Sequence, residues 1–142
     1  MKKILIAEDD NKIASALAIR LEAAGYDVFT VRNGLEGITI ALDQRPDLLL
    51  LDIWMPVVLG FSVMQRLRSR GMAKTPVIFI TGSRLKGLRE TAAKLGAVGF
   101  FEKPYDPEEL LGAIARAVIP DLDRSAFSRS NPTPQNQLRP QA

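Results

Sequence analysis

The sequence predicts an α/β fold, a doubly wound parallel sheet in which five strands alternate with five helices. Two observations carry this reading. Apolar runs of strand length alternate strictly with segments of helical spacing, and such units close by right-handed crossovers. The central runs, Leu48-Leu49-Leu50-Leu51 and Val77-Ile78-Phe79-Ile80, are apolar at every position, as strands covered on both faces are.

Strands are expected over residues 2–7, 27–31, 47–51, 76–80 and 98–101. In the first helix Ile13, Leu17 and Leu21 recur every fourth residue, and Gly25 supplies a stop. The second runs over 34–43 and ends before Pro46. The third covers 60–70, with Val63, Met64 and Leu67 on one face and Gly71 behind it. The fourth covers 84–95 and stops at Gly96; Gly82 and Gly87 loosen its start, an interior glycine costing about 1 kcal/mol. The fifth opens on Asp106-Pro107-Glu108-Glu109, an N-cap, a proline at the first position and a glutamate to close a capping box. Leu110, Leu111, Ile114, Ala117 and Val118 form its buried stripe.

With 142 residues, 46% of them hydrophobic, the chain suits one globular domain, expected over residues 1–120. Residues 121–142 carry Pro132, Pro134 and Pro140 among polar residues and few large apolar ones, and are expected to be a disordered tail. The absence of cysteine excludes disulfides, thiolate zinc sites and thiol nucleophiles. Absence of histidine excludes imidazole bases, imidazole metal sites and a histidine phosphocarrier within the chain. The N-terminus has a signal peptide's charge order, but Glu8-Asp9-Asp10 ends its apolar run early, and no run approaches a membrane span; a cytoplasmic protein with no membrane partner is expected. A net charge of +3 does not argue for nucleic acid. Between Asp52 and Glu102, Glu90 is the only acid among Arg66, Arg68, Arg70, Lys74, Arg84, Lys86, Arg89 and Lys94. A solvated face of long side chains explains this better than a docking patch, and no groove-reading element accompanies it.

Ligand sites in such sheets lie beyond the carboxyl ends of the strands. The reactive side chains fall there repeatedly: Glu8 and Asp9 after the first strand, Asp52 ending the third, Thr81 ending the fourth, Lys103 after the fifth. Singly, each has a plain explanation. Glu8-Asp9-Asp10 suits a helix start, Asp52 a turn, Thr81 a strand end and Lys103 a surface charge. Those explanations leave their convergence on one edge unaccounted for. Carboxylates gathered there repel one another, and a hard cation such as Mg²⁺ resolves the conflict with oxygen ligands. A carboxylate beside such a cation can attack a phosphoryl group, with catalysis mostly by positioning and charge neutralisation. Thr81 would then hydrogen-bond one phosphoryl oxygen, Lys103 neutralise another, and the Gly82 backbone N–H meet a third.

Ile4-Leu5-Ile6-Ala7-Glu8-Asp9-Asp10, Asp47-Leu48-Leu49-Leu50-Leu51-Asp52-Ile53-Trp54-Met55-Pro56, Ile80-Thr81-Gly82 and Lys103-Pro104 together resemble the signature stretches of two-component response-regulator receiver domains, the CheY-like superfamily. The resemblance spans about residues 1–119 in family order, and its motifs are specific as a set rather than singly. It implies a flavodoxin-like strand order 2-1-3-4-5, with Asp52 as phosphoacceptor and catalytic centre, and Thr81 and Lys103 as its catalytic partners. It implies a site for Mg²⁺ (or Mn²⁺) made by Glu8, Asp9, Asp52 and the Trp54 backbone carbonyl. Asp10 matches a third acidic position whose simpler role is to cap the first helix. Lys103-Pro104 resembles the family's lysine with a cis peptide. Thr81 and Phe100 match the switch pair, although Phe100 reads equally well as plain core.

The sequence also departs from the family. Leu59 stands before Gly60 where an Asp or Asn is common, which removes a cap from the third helix. Val57, Val58 and Leu59 become an apolar loop, for which packing is the first explanation and a docking patch the second. Trp54 and Ser83 flank the expected phosphoryl position, where they would tune water access.

The implied function is a phosphorylation-controlled switch in a phosphorelay, not an enzyme beyond its own phosphorylation and dephosphorylation. Its donor would be a histidine kinase or histidine phosphotransfer protein, and its output a downstream protein or a phosphorylation-dependent homodimer, without direct nucleic-acid contact. Two further readings are a phosphorylation-independent scaffold and a receiver fragment of a longer regulator or hybrid kinase. A phosphohydrolase with an aspartate nucleophile would need a second acid where Trp54 stands.

Overall fold

The computed structural model describes residues 1–119; the tail expected over 121–142 lies outside the described residues. Ten elements alternate: β1 (Lys3–Ala7), α1 (Asn11–Ala23), β2 (Asp27–Val31), α2 (Gly34–Gln44), β3 (Leu48–Asp52), α3 (Gly60–Arg68), β4 (Val77–Thr81), α4 (Leu88–Lys94), β5 (Gly99–Glu102) and α5 (Pro107–Val118). All four strand pairings are parallel, in the order β2-β1-β3-β4-β5, the order the family resemblance implies.

Side-chain alternation explains why the strands are apolar throughout. Leu5, Ala7, Leu49, Leu51, Val77, Phe79 and Phe100 face α2, α3 and α4, where they meet Ile38, Val63, Met64 and Ala92. Ile4, Ile6, Leu48, Leu50, Ile78, Ile80 and Phe101 face α1 and α5, against Leu17, Leu21, Leu110 and Ile114. Each of the larger of these side chains, the Val, Leu, Ile, Phe and Met residues, contributes about 1.5–3 kcal/mol when fully buried. A two-residue period with both layers covered leaves no polar face on the central strands.

Local signals set the helix ends. Asp10 caps α1, its Oδ1 accepting the Lys12 and Ile13 N–H groups at 2.9 and 3.2 Å. Asn33 caps α2 through the Glu36 N–H, and Asp106 caps α5 through the Glu108 N–H, both at 2.9 Å. Leu59 gives α3 no side-chain cap, as its sequence foretells. Gly25, Gly71 and Gly96 take left-handed conformations at the stops, which glycine adopts without a Cβ penalty.

Two helices are shorter than expected. α4 begins at Leu88 rather than at 84, because Gly87 sits at φ +88° and a left-handed residue cannot continue a right-handed helix. α3 ends at Arg68 rather than at 70. The Arg68 guanidinium crosses from there to the Ala73 carbonyl and, at 3.5 Å, to the Gly96 carbonyl behind α4.

Candidate phosphoacceptor site

Strand register gathers the reactive residues. Ala7 pairs with Leu51, Asp52 with Ile80, and Thr81 with Glu102, so Glu8, Asp52, Thr81 and Lys103 emerge at one edge of the sheet. Two backbone bonds fix the ends: Glu8 N–H to the Val31 carbonyl at 3.0 Å, and Lys103 N–H to the Thr81 carbonyl at 2.8 Å. Glu8, Asp52 and Thr81 are the only buried polar or charged residues among those described. Asp9 is exposed beside them. One carboxylate oxygen from each of Glu8, Asp9 and Asp52 lies within 4.8 Å of the others.

Lys103 joins the acids. Its Nζ donates to Glu8 Oε1 at 2.5 Å and to Asp52 Oδ2 at 3.1 Å. Backbone donors hold the remaining oxygens: Asp10 N–H donates to Glu8 Oε2 at 3.2 Å, and Trp54 N–H to Asp52 Oδ1 at 3.1 Å. The Lys103–Pro104 peptide is cis. Thr81 Oγ1 accepts the Ser83 N–H at 3.0 Å, which leaves the hydroxyl hydrogen as a donor.

One lysine does not neutralise three carboxylates. Burial pushes Glu8 up to about 7, with the Asp52 charge adding to the rise and the Lys103 hydrogen bond opposing it. Burial works against the Lys103 charge, yet its hydrogen bonds to Glu8 and Asp52 and their charges hold its pKa above the ordinary value. The donor set is all hard oxygen, two members are buried, and the negative charge is in excess. That combination fits a divalent cation of the Mg²⁺ class.

The rim differs from the sequence reading in one respect. Of Val57, Val58 and Leu59, only Val58 packs into the core; Val57 is 74% exposed and Leu59 42%. Packing therefore explains one of the three. Val57 also sits at φ +74°, where a β-branched residue is strained. Trp54 is 43% exposed at the same rim. A Cβ placed on Gly82 would meet nothing nearer than Lys103 Cδ at 4.0 Å, so glycine is not needed there for space. Phe100 is turned into the core at 2% exposure.

Sequence reasoning missed three features: the Asp10 amide that holds Glu8, the close packing of α3's first residue on Asp52, and the Val57 backbone. The first had a signal in the tight Glu8-Asp9-Asp10 turn. The second had one in Gly60 itself, since a Cβ there would stand 2.3 Å from the Asp52 carbonyl oxygen.

The sequence profile of the response regulator receiver domain matches residues 4–115. The chain belongs to the response regulator receiver family. Among receiver structures, the chemotaxis response regulator CheY4 of Vibrio cholerae superposes with a TM-score of 0.74 at 29% identity, covering 82% of this chain and 98% of that one. A Francisella response regulator receiver domain gives 0.77 at 26% identity, covering 83% and 97%. Among curated relatives, the DNA-binding dual master transcriptional regulator RpaA of Synechocystis is 38% identical over 87% of this chain and 52% of its own length. The probable transcriptional regulator ycf29 of Pyropia yezoensis is 31% identical over 96% of this chain and 62% of its own. This receiver chain thus spans about half the length of the curated relatives it matches. No helix among its described residues is long and apolar enough to cross a membrane.

Proposed function

We propose that the chain is a phosphorylation-controlled switch that accepts a phosphoryl group on Asp52 from a phosphohistidine of a kinase or phosphotransfer protein. The observation that carries this is the meeting of Glu8, Asp9 and Asp52 within 4.8 Å, with Lys103 bonded to two of them. In the transfer an Asp52 carboxylate oxygen forms a bond to phosphorus as the donor's P–N bond breaks, and the imidazole leaves.

Glu8, Asp9, Asp52 and the Trp54 carbonyl would hold Mg²⁺ or Mn²⁺, and a cation bound there supplies positive charge for the phosphoryl oxygens. The chain's own residues do the rest. Trp54 N–H orients the Asp52 carboxylate, Thr81 donates to one phosphoryl oxygen, Lys103 pairs with another, and Gly82 N–H faces a third. Thr81 and Phe100 act as the switch, and their movement alters the face built by α4, β5 and α5, where a downstream protein or a second copy docks.

The chain turns over no external substrate and acts in the cytoplasm. The names of its longer relatives favour transcription as the output, exerted through a further protein or domain rather than by direct contact with a duplex. Salt-sensitive duplex binding by residues 1–119 would overturn that point.

Treatment with acetyl phosphate and Mg²⁺ tests the central reading. A single phosphoryl adduct is expected by mass spectrometry, lost on chelation of the metal and absent in Asp52→Asn. Trp54, the only tryptophan, should change fluorescence with Mg²⁺ and again with a phosphoryl mimic. No adduct together with a flat titration would refute it.

A further inference from the structure

The turn between β2 and α2 gives no side chain to the acidic site, yet it touches both halves of it. On one side the Val31 carbonyl accepts the Glu8 N–H at 3.0 Å, which sets where the acids after β1 leave the sheet. On the other, the Gly34 N–H donates to the Pro56 carbonyl at 3.3 Å, in the loop between β3 and α3. That loop also carries Trp54, whose N–H holds Asp52 Oδ1 at 3.1 Å. Residues 31–34 therefore span the gap between the acids after β1 and the segment that follows Asp52.

The span is fixed at both ends. Val31 closes β2 and pairs with Ala7 in the sheet. Gly34 opens α2, whose first turn the Asn33 cap secures. In the loop, the Pro56 carbonyl also accepts the Val58 N–H at 2.9 Å, which closes a three-residue turn around Val57. Contact between the two segments leaves no space. A Cβ on Gly34 would stand 2.1 Å from the Val58 carbonyl oxygen and 2.6 Å from Val58 Cβ, and Val58 is itself buried. Gly34 is not among the left-handed glycines, so room alone demands glycine there. Gly37, one turn along the same helix, is the contrast. A Cβ there would meet Val31 Cγ2 at 3.7 Å and Ala7 Cβ at 3.8 Å, which are ordinary packing distances.

We propose that Gly34 is a positioning residue for the cation site, and that residues 31–34 are the spacer that sets Trp54 and its loop against Glu8 and Asp9. The inference rests on the phosphoacceptor reading for the identity of the cation, and on the contacts of Gly34 for the spacing. Bulk at Gly34 pushes the 56–58 turn away from α2, and the chain carries that shift back to Trp54. Ligands held at the wrong separation lose affinity for a cation even when all of them are present, because the contacts behind them set their geometry.

The test uses the full chain as wild type, Gly34→Ala and Gly37→Ala, the last adding the same methyl group where there is room. Mg²⁺ affinity is read from Trp54 fluorescence, and backbone amide shifts are read by NMR without metal. Gly34→Ala should bind Mg²⁺ about tenfold more weakly, the lower end of what losing a ligand's supporting contact costs. Its metal-free amide shifts should change at Glu8 and over residues 54–58. Gly37→Ala should bind Mg²⁺ as wild type does. Thermal melts show whether each variant folds. Wild-type affinity in a folded Gly34→Ala would overturn the proposal. Equal weakening in Gly37→Ala would also defeat it, by making the effect one of the whole helix. If Gly34→Ala does not fold, Asn33→Ala loosens the same helix start without added bulk; weaker Mg²⁺ binding is expected there, and unaltered binding counts as refutation. If wild type itself gives no Mg²⁺ response, the phosphoacceptor reading fails. The spacer is then decided by the metal-free shifts of Gly34→Ala: changes at Glu8 and 54–58 uphold it, and changes confined to α2 end it.

Discussion

Gly60 packs directly on Asp52: a Cβ at that position would stand 2.3 Å from the Asp52 carbonyl oxygen and 3.0 Å from Ile53 Cα. The first residue of α3 thus rests on the backbone of the proposed phosphoacceptor, and its N–H bonds the Ile53 carbonyl at 2.9 Å. Backbone cannot yield as a flexible side chain can. Gly60→Ala should destabilise the protein by about 1–3 kcal/mol, the usual cost of overpacking. It should also weaken the Mg²⁺-dependent change in Trp54 fluorescence, because α3 or Asp52 has to move. Urea unfolding and a metal titration on the same sample check both effects.

Gly82 behaves differently. Its hypothetical Cβ has room, with Lys103 Cδ at 4.0 Å as the nearest neighbour. Gly82→Ala should leave the yield of the acetyl phosphate adduct unchanged, since the backbone N–H is retained. A marked loss of adduct by mass spectrometry would show that the loop requires glycine's backbone freedom.

Val57 holds a left-handed conformation with a branched, exposed side chain. Such a conformation costs an L-residue roughly 1–2 kcal/mol, and asparagine tolerates it better. Val57→Asn should therefore raise the urea midpoint, by about 1 kcal/mol in stability, with an unchanged slope. A lowered midpoint would mean that the Val57 side chain makes a contact its exposure does not reveal.

Glu8 makes metal-free stability depend on pH. Its pKa is raised in the folded protein from 4.5 to about 7, first by burial. Between those values the folded state binds the extra proton. The stability Glu8 contributes is thus fully present below pH 4.5 and lost as pH rises through about 7. Urea midpoints with a chelator present should fall across this window in wild type and fall less in Glu8→Gln. Mg²⁺ should offset the decline in wild type at the upper end, since it binds the ionised form, and do little for Glu8→Gln.

Much of this was legible in the chain because one simple rule generates it. A strand covered on both faces has to be apolar at every residue, and 48–51 and 77–80 are. Once strands and helices alternate, the residues that end or follow each strand fall on one edge, which is why Glu8, Asp52, Thr81 and Lys103 could be grouped from spacing. The start of α4 was only partly legible: Gly87 signalled a loosened start, but Arg84, Leu85 and Lys86 carry no helix-breaking signal to say that the helix begins only after the left-handed Gly87. The Val57 conformation ran against its residue type, and tertiary packing prevailed over local preference. Contacts such as Arg68 to Gly96 and Arg89 to Phe100 join residues of different elements through long side chains, and no periodicity encodes them.

Lys103 follows β5, one of the two edge strands, yet its ammonium ends on Glu8, which follows β1, and on Asp52, which ends β3, near the middle of the sheet. The side chain therefore bridges over β4, like a stay run from the hull to the mast. Any regrouping of charge amidships pulls on the flank directly, without passing strand by strand. This edge strand, with no neighbouring strand on its outer side, is thereby tethered to the residue that would be chemically modified.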